Sequence, residues 1–191
     1  MASDPLAEAR SRNGVLIKTL FAPYLFLGIF IMLLVPEGIS ESIPILGSLT
    51  SWAGTWIPSM RRYAAISPFP DAARLFILIM SVGFPFVAWQ FARNWVFPSR
   101  IFDLRPSNKW FVVGSAAAIA LLLAYFLWIF LDVSRESVLQ SGGRGGIVVQ
   151  ALTQYRLGMA VIDSMLFVAA AGATGVAFGL AFQITRGRGH Q

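Results

Sequence analysis

The sequence predicts an all-α integral membrane protein with four transmembrane helices, two interfacial amphipathic helices on the outer side, and both termini in the cytoplasm. Three observations carry this prediction: 57% of the 191 residues are apolar, only 13% are charged, and the mean hydropathy is +0.69. These values lie outside the range of ordinary soluble domains. We therefore expect lipid to be the solvent for most of the chain.

Four apolar stretches are long enough to cross a bilayer, which takes about 20 helical residues for about 30 Å of hydrocarbon. They are residues 15–35, 72–92, 110–131 and a last stretch that begins at 157 or at 164 and ends at 184. No internal repeat divides the chain, so we expect residues 1–191 to form a single membrane domain. Its connections are outer loops at 36–71 and 132–156 and a cytoplasmic loop at 93–109.

The distribution of basic residues predicts the orientation. Both terminal segments are basic, whereas the two predicted outer loops mix cations with carboxylates. Short basic connections stay in the cytoplasm, so both termini and loop 93–109 are predicted to lie inside. The preference for Arg over Lys is typical of a GC-rich bacterial genome, which makes the membrane a bacterial inner membrane. The cations of the cytoplasmic loop are Arg93, Arg100, Arg105 and Lys109.

These four cations form a basic patch for which we expect anionic lipid headgroups or a cytoplasmic partner as ligands. The net charge of +6 follows the flanks of the predicted spans, and we therefore do not interpret it as a nucleic-acid footprint.

Each outer loop contains a stretch with helical spacing of apolar residues. In the first loop the pattern runs from Ile45 to Trp56 and Pro58 ends it, which predicts a helix in the outer interface. In the second loop a similar pattern follows the flexible segment SGGRGG and leads into the last span. The residues of the two patterns are Ile45, Leu49, Trp52 and Trp56, and Val148, Leu152, Tyr155, Met159 and Ile162.

The last span contains one carboxylate, Asp163, in otherwise apolar surroundings. Three interpretations remain open. If the span begins at Ser164, Asp163 caps the helix at the outer interface. If the helix begins near Leu157, Asp163 lies about 9 Å inside it and pairs with the Tyr125 hydroxyl of the third span, or else binds a proton or ion.

The same span presents two faces of small residues, one of them containing the GxxxG pair of Gly175 and Gly179. We expect one face to pack within the chain and the other to receive a helix of another subunit or of a second copy. The residues of the two faces are Gly172, Gly175 and Gly179, and Ala170, Thr174 and Ala177.

The chemistry of the chain argues against catalysis. It has no Cys, its single His is His190 in the C-terminal tail, and no hydrolase, metalloprotease or phosphate-loop motif is present. We therefore expect no metal and no cofactor, and a non-catalytic accessory or scaffold subunit of a larger inner-membrane complex. A secretion or conjugative-transfer apparatus is one setting for such a subunit. The alternative is a small proton- or ion-coupled transporter or channel that uses Asp163.

Overall fold

The computed structural model describes residues 5–98, 101–132 and 155–186. Every regular element in these ranges is a helix, and they contain no strand. Four helices are long and apolar enough to cross a membrane: Ala7–Leu34, Pro70–Asn94, Pro106–Leu127 and Arg156–Thr185. We refer to them as the first to fourth long helices. Each of the four predicted spans thus corresponds to one long apolar helix, and the first of these begins at Ala7, well before the predicted start at residue 15.

The first and fourth long helices each contain one π-helical turn. The first comprises α1 (Pro5–Leu16), the π-helical segment Ile17–Phe21 and α2 (Ala22–Leu34). Short connecting helices follow as α3 (Ile39–Ser42), α4 (Pro44–Trp56) and α5 (Pro58–Ile66). The second long helix is α6 (Pro70–Asn94) and the third is α7 (Pro106–Asp132). The fourth comprises α8 (Arg156–Gly158), the π-helical segment Met159–Asp163 and α9 (Ser164–Thr185).

Prolines set the boundaries of the connecting helices. Pro44 and Pro58 stand in the first turns of α4 and α5, where a missing N–H costs nothing. The predicted helix that ends before Pro58 is thus present as α4. Its apolar residues Ile45, Trp52 and Trp56 are exposed, while its buried residues are Thr50, Ala53 and Gly54. The second predicted amphipathic helix begins outside the described ranges, at Val148 and Leu152. Of its remaining residues, Met159 is buried and Tyr155 and Ile162 are exposed.

The chain divides into two compact units, which we describe separately. One unit consists of the described parts of Met1–Tyr24, Phe84–Ala124 and Val168–Gln191. Here the fourth long helix packs on the second, and the Phe91 and Trp95 rings stack with centroids 5.7 Å apart. Asn13 exchanges two hydrogen bonds with the backbone of Val96, at 2.8 and 2.9 Å, and so fixes α1 to the segment that follows the second long helix.

The other unit consists of the described parts of Leu25–Gly83 and Tyr125–Phe167. Its core is formed by large side chains from the first, second and fourth long helices and from α5. Phe76 and Phe167 meet edge to face, with ring centroids 5.7 Å apart, a favourable aromatic geometry. Its largest fully buried side chains are Met32, Met60, Tyr63, Phe76, Ile77, Met80, Met159, Asp163 and Ser164.

Candidate functional site

Asp163 lies inside a continuous helix and not at its start. The fourth long helix is helical from Arg156 to Thr185, and Asp163 ends the π-helical segment within it. The Asp163 side chain is 2% exposed. Of the three interpretations, helix capping does not apply, because the helix begins well before this residue. A π-helical turn inside an α-helix often marks a functional position, which makes the surroundings of Asp163 the candidate site.

The carboxylate of Asp163 accepts a hydrogen bond from the hydroxyl of Tyr63. Tyr63 belongs to α5, the last of the connecting helices, and is 1% exposed. Burial, together with the neighbouring Asp163, raises the pKa of Tyr63 well above its ordinary value. The phenol therefore keeps its proton and serves as a neutral donor to the carboxyl group of Asp163.

The partner of Asp163 corrects the pairing that the sequence predicted. Tyr125, the expected partner, is 53% exposed, and Tyr63 occupies the position at the carboxylate. Tyr125 was expected because it belongs to a predicted span, whereas Tyr63 lies in the connection at 36–71. A usable signal was present: Met60, Tyr63 and Ala64, at i, i+3 and i+4, form one apolar helical face, and all three are buried.

Ser164, the next residue, packs against the first long helix at Gly28. Its side chain is fully buried, and its Oγ has no hydrogen-bond partner among the described residues. A Cβ at Gly28 would collide with this Oγ and lie 3.0 Å from Phe76 Cε2 and 3.1 Å from Met80 Sδ. Position 28 therefore admits no side chain without displacing its neighbours.

Arg156, at the start of the fourth long helix, binds the C-terminal end of the first. Its Nη2 donates to the Val35 carbonyl at 2.6 Å and lies 3.3 Å from Glu37 Oε1. The guanidinium carbon also lies 4.7 Å from the centroid of the Phe69 ring. A cation at a helix C-terminus pairs with unsatisfied carbonyls and with the negative end of the helix dipole. Arg156 therefore binds the end of the first long helix and does not pair with Asp163.

Asp71 organises the turn that follows the first long helix. Its Oδ2 accepts hydrogen bonds from the backbone N–H groups of Gly38, at 3.0 Å, and Ser40, at 3.3 Å, and its Oδ1 accepts from Ser40 Oγ at 2.8 Å. Gly38 has a φ of +82°, a left-handed conformation that favours glycine. The start of the second long helix is therefore fixed to this turn.

The glycine face of the fourth long helix packs on the second long helix. A Cβ at Gly175 would collide with the Ala88 carbonyl oxygen and lie 2.6 Å from Phe91 Cβ; a Cβ at Gly179 would lie 2.5 Å from the Ala92 carbonyl oxygen. At Gly172 the Phe91 ring is at an ordinary contact distance of 3.8 Å. Backbone-to-backbone approach of this kind is the use expected of a GxxxG pair.

The opposite small face is also largely occupied by the chain itself. Ala170 is 0% and Ala177 8% exposed, and Thr174 is half-buried. The face that we expected to receive a foreign helix is thus mostly covered within the described residues.

Of the predicted basic patch, Arg93 and Arg105 are exposed and Lys109 is half-buried, while Arg100 lies outside the described residues. Within residues 5–98, 101–132 and 155–186, no three His, Cys, Asp or Glu side chains group as a metal site.

Comparisons with known proteins give no family: no protein-family model, no curated protein and no solved structure matches the chain.

Proposed function

We propose that the protein is a non-catalytic accessory or scaffold subunit of a larger membrane assembly, and that the third long helix contacts a partner subunit. The observation that supports this proposal is the unequal packing of the long helices. Of the most apolar window of each helix, 11% is buried in the third, against 22%, 33% and 50% in the first, second and fourth.

The exposed surface of the third long helix includes small residues as well as large ones. Nothing lies within 4 Å of a Cβ built at Gly114, and Ser115 and Ala118 are also exposed. By contrast, the chain itself packs closely against Gly28, Gly175 and Gly179. Small residues let another helix approach closely, so the segment around Gly114 suits a transmembrane helix of another subunit better than it suits lipid alone.

A single engineered cysteine tests this contact, because the chain contains no Cys. Leu121→Cys on the third long helix and Val82→Cys on the second alter residues that are 71% and 67% exposed. Each variant is expressed in bacteria, labelled with a thiol-directed photocrosslinker and irradiated in membranes before purification in mild detergent. We expect a discrete protein adduct at position 121 and none at the matched position 82.

The mass of the adduct identifies the occupant. Another subunit gives an adduct of unrelated mass, whereas a mass of twice the protomer assigns the surface to a second copy of the chain. Identical adducts at both positions, or none at position 121, would contradict the proposed contact.

We also propose that the long helices cross a bacterial inner membrane with both termini in the cytoplasm. Two observations support this topology. The Asn13–Val96 hydrogen bonds bring the basic N-terminal segment to the basic segment after the second long helix. In α4, Ile45, Trp52 and Trp56 are exposed, as suits a helix in the outer interface.

Reporter fusions test the topology directly. A fusion after Ser107 or after Gln191 should report the cytoplasm, and a fusion at Ser51 in α4 should report the outer side. The opposite pattern would reverse the orientation and place α4 and α5 in the cytoplasm.

A further inference from the structure

Among the described residues, no basic side chain contacts Asp163. The side chain is 2% exposed, and the polar group that contacts it within the described residues is the neutral hydroxyl of Tyr63. A buried carboxylate normally requires a cation or several donors, because one neutral hydrogen bond does not replace its hydration.

The described basic side chains near this unit's core are bound elsewhere or exposed. Arg156 contacts the Val35 carbonyl and Glu37, and Arg61 Nε donates to the Gly54 carbonyl at 2.6 Å. Arg74 lies 3.9 Å from Asp71, and Arg62 is exposed.

The helices that supply the buried core around Asp163 offer no other charge. The stretch Ala22–Leu34 contains no ionisable group except Tyr24, and the second long helix contributes only Asp71 and Arg74 before residue 84. On α5, Tyr63 is the ionisable residue that is buried. On the fourth long helix itself, Arg156 is the remaining charged residue in this unit, and it points to the end of the first long helix.

We propose that Asp163 is a proton-binding site: its carboxyl group is neutral in the folded protein, and loss of the proton releases α5 from the fourth long helix. The proton supplies the positive charge that no described side chain provides. The proton site lies between α5 and the fourth long helix, whereas the proposed subunit contact involves the third, so either proposal can fail while the other holds.

Release of α5 follows from the way in which the site is covered. Met60, Tyr63 and Ala64 of α5 are 1%, 1% and 2% exposed, and Tyr63 makes the polar contact with Asp163. Once Asp163 is ionised, access to water stabilises the charge. Separation of one short helix gives that access while the packing of the long helices is preserved.

The absence of native cysteine gives a direct assay of this release. Ala64→Cys places a thiol on the buried face of α5, and Ala72→Cys places one at a fully buried position of the second long helix in the same unit. Maleimide labelling is measured in detergent as the pH rises, and each rate is divided by that of Ser51→Cys, an exposed position in α4. This division removes the intrinsic pH dependence of the thiolate.

We expect the normalised rate at position 64 to rise with pH, by up to about tenfold per pH unit over the range in which the released form has lost the Asp163 proton and the docked form still holds it, and to level off once both forms are ionised. The rate at position 72 should stay constant. In the Asp163→Asn background the rate at position 64 should be low and independent of pH, since Asn accepts the Tyr63 hydrogen bond but binds no proton. In the Tyr63→Phe background it should be higher at every pH and still rise.

Three results would overturn the inference. The first is a pH dependence at position 64 that persists in Asp163→Asn. The second is labelling at position 72 that rises in parallel with that at position 64. The third is a change in the rate at position 64 when Na⁺ is added at constant pH, seen only when Asp163 is present. The last result would assign a sodium site in place of a proton site.

Infrared spectroscopy of the wild-type chain provides a second test that does not depend on the folding of Asp163→Asn. A carbonyl band of a protonated carboxylic acid should persist at neutral pH, shift with ¹³C-labelled aspartate, and move again in Tyr63→Phe because its hydrogen bond is lost. If no such band is present at neutral pH, Asp163 is ionised and the proposal is wrong.

Discussion

The third and fourth long helices have nearly the same hydropathy, yet 11% of the third and 50% of the fourth are buried in their most apolar windows. Both contain a run of small residues, Gly114–Ala118 in one and Ala169–Gly175 in the other. In the fourth helix Gly175 and Gly179 contact the backbone of the second, whereas nothing lies within 4 Å of a Cβ built at Gly114. Hydropathy therefore identifies helices that are apolar enough to cross a membrane, and small residues show where another helix can approach closely. Neither property indicates which helix makes that approach.

The largest expected effect tests the close packing of the fourth long helix. In Gly175→Leu or Gly179→Leu, the new side chain meets the backbone of Ala88 or Ala92, which cannot rotate away as a side chain does. Overpacking costs about 1–3 kcal/mol, and a backbone contact belongs at or above the upper end of this range. Thermal unfolding in mild detergent should show a large loss of stability, or the folded protein should not be recovered.

Ile162→Leu serves as the control for these glycine substitutions, because Ile162 is 40% exposed on the same helix and the change conserves side-chain volume. It should unfold at nearly the wild-type temperature. If Gly179→Leu also does so, the fourth helix is not packed on the second through this face.

The second prediction concerns the buried polar contact between Asp163 of the fourth long helix and Tyr63. Asp163→Ala leaves the Tyr63 hydroxyl buried without an acceptor, and we expect a loss of about 1–3 kcal/mol in the free energy of unfolding. Tyr63→Phe should cost a similar amount, and the double variant should cost less than the sum of the two. Asp163→Asn should be tolerated, because its amide oxygen still accepts the Tyr63 hydrogen bond.

Tyr125→Phe distinguishes the observed pair from the pair that the sequence predicted. Its effect on the free energy of unfolding should add to that of Asp163→Ala without coupling. A coupling energy as large as that between Tyr63 and Asp163 would restore Tyr125 as the partner.

The four long helices were predictable from the sequence because each corresponds to an apolar stretch of about 20 residues. The end of α4 before Pro58 was equally predictable. The pairing of Asp163 was not, because a charge deep in a helix shows only that a partner is needed, and Tyr63 lies 100 residues away in the chain. The role of Arg156 also depended on the fold, since its shortest hydrogen bond is to the backbone carbonyl of Val35, and a backbone acceptor cannot be recognised from the residue type.

A smaller effect is expected at the turn after the first long helix. Asp71→Ala removes an acceptor for the backbone N–H groups of Gly38 and Ser40 and for the Ser40 hydroxyl. The site is partly exposed, so water replaces some of these bonds, and we expect a loss of about 1 kcal/mol in the free energy of unfolding. Glu41→Ala, at an exposed position of the same segment, should be nearly neutral in the same denaturation assay.

The smallest effect on the protomer itself is expected at Gly114, the counterpart of Gly175 and Gly179 on the third long helix. Because nothing lies within 4 Å of a Cβ at Gly114, Gly114→Leu should cause no loss of stability, and removal of a glycine from the helix interior should favour the folded chain by no more than about 1 kcal/mol. The same change should nevertheless weaken the proposed contact with a partner helix, because a leucine prevents close approach. Photocrosslinking from Leu121→Cys measures this second effect, and the adduct should decrease in the double variant while thermal stability is retained. An undiminished adduct would mean that the partner does not approach at Gly114, and a large loss of protomer stability would mean that Gly114 is packed within the chain like Gly175 and Gly179.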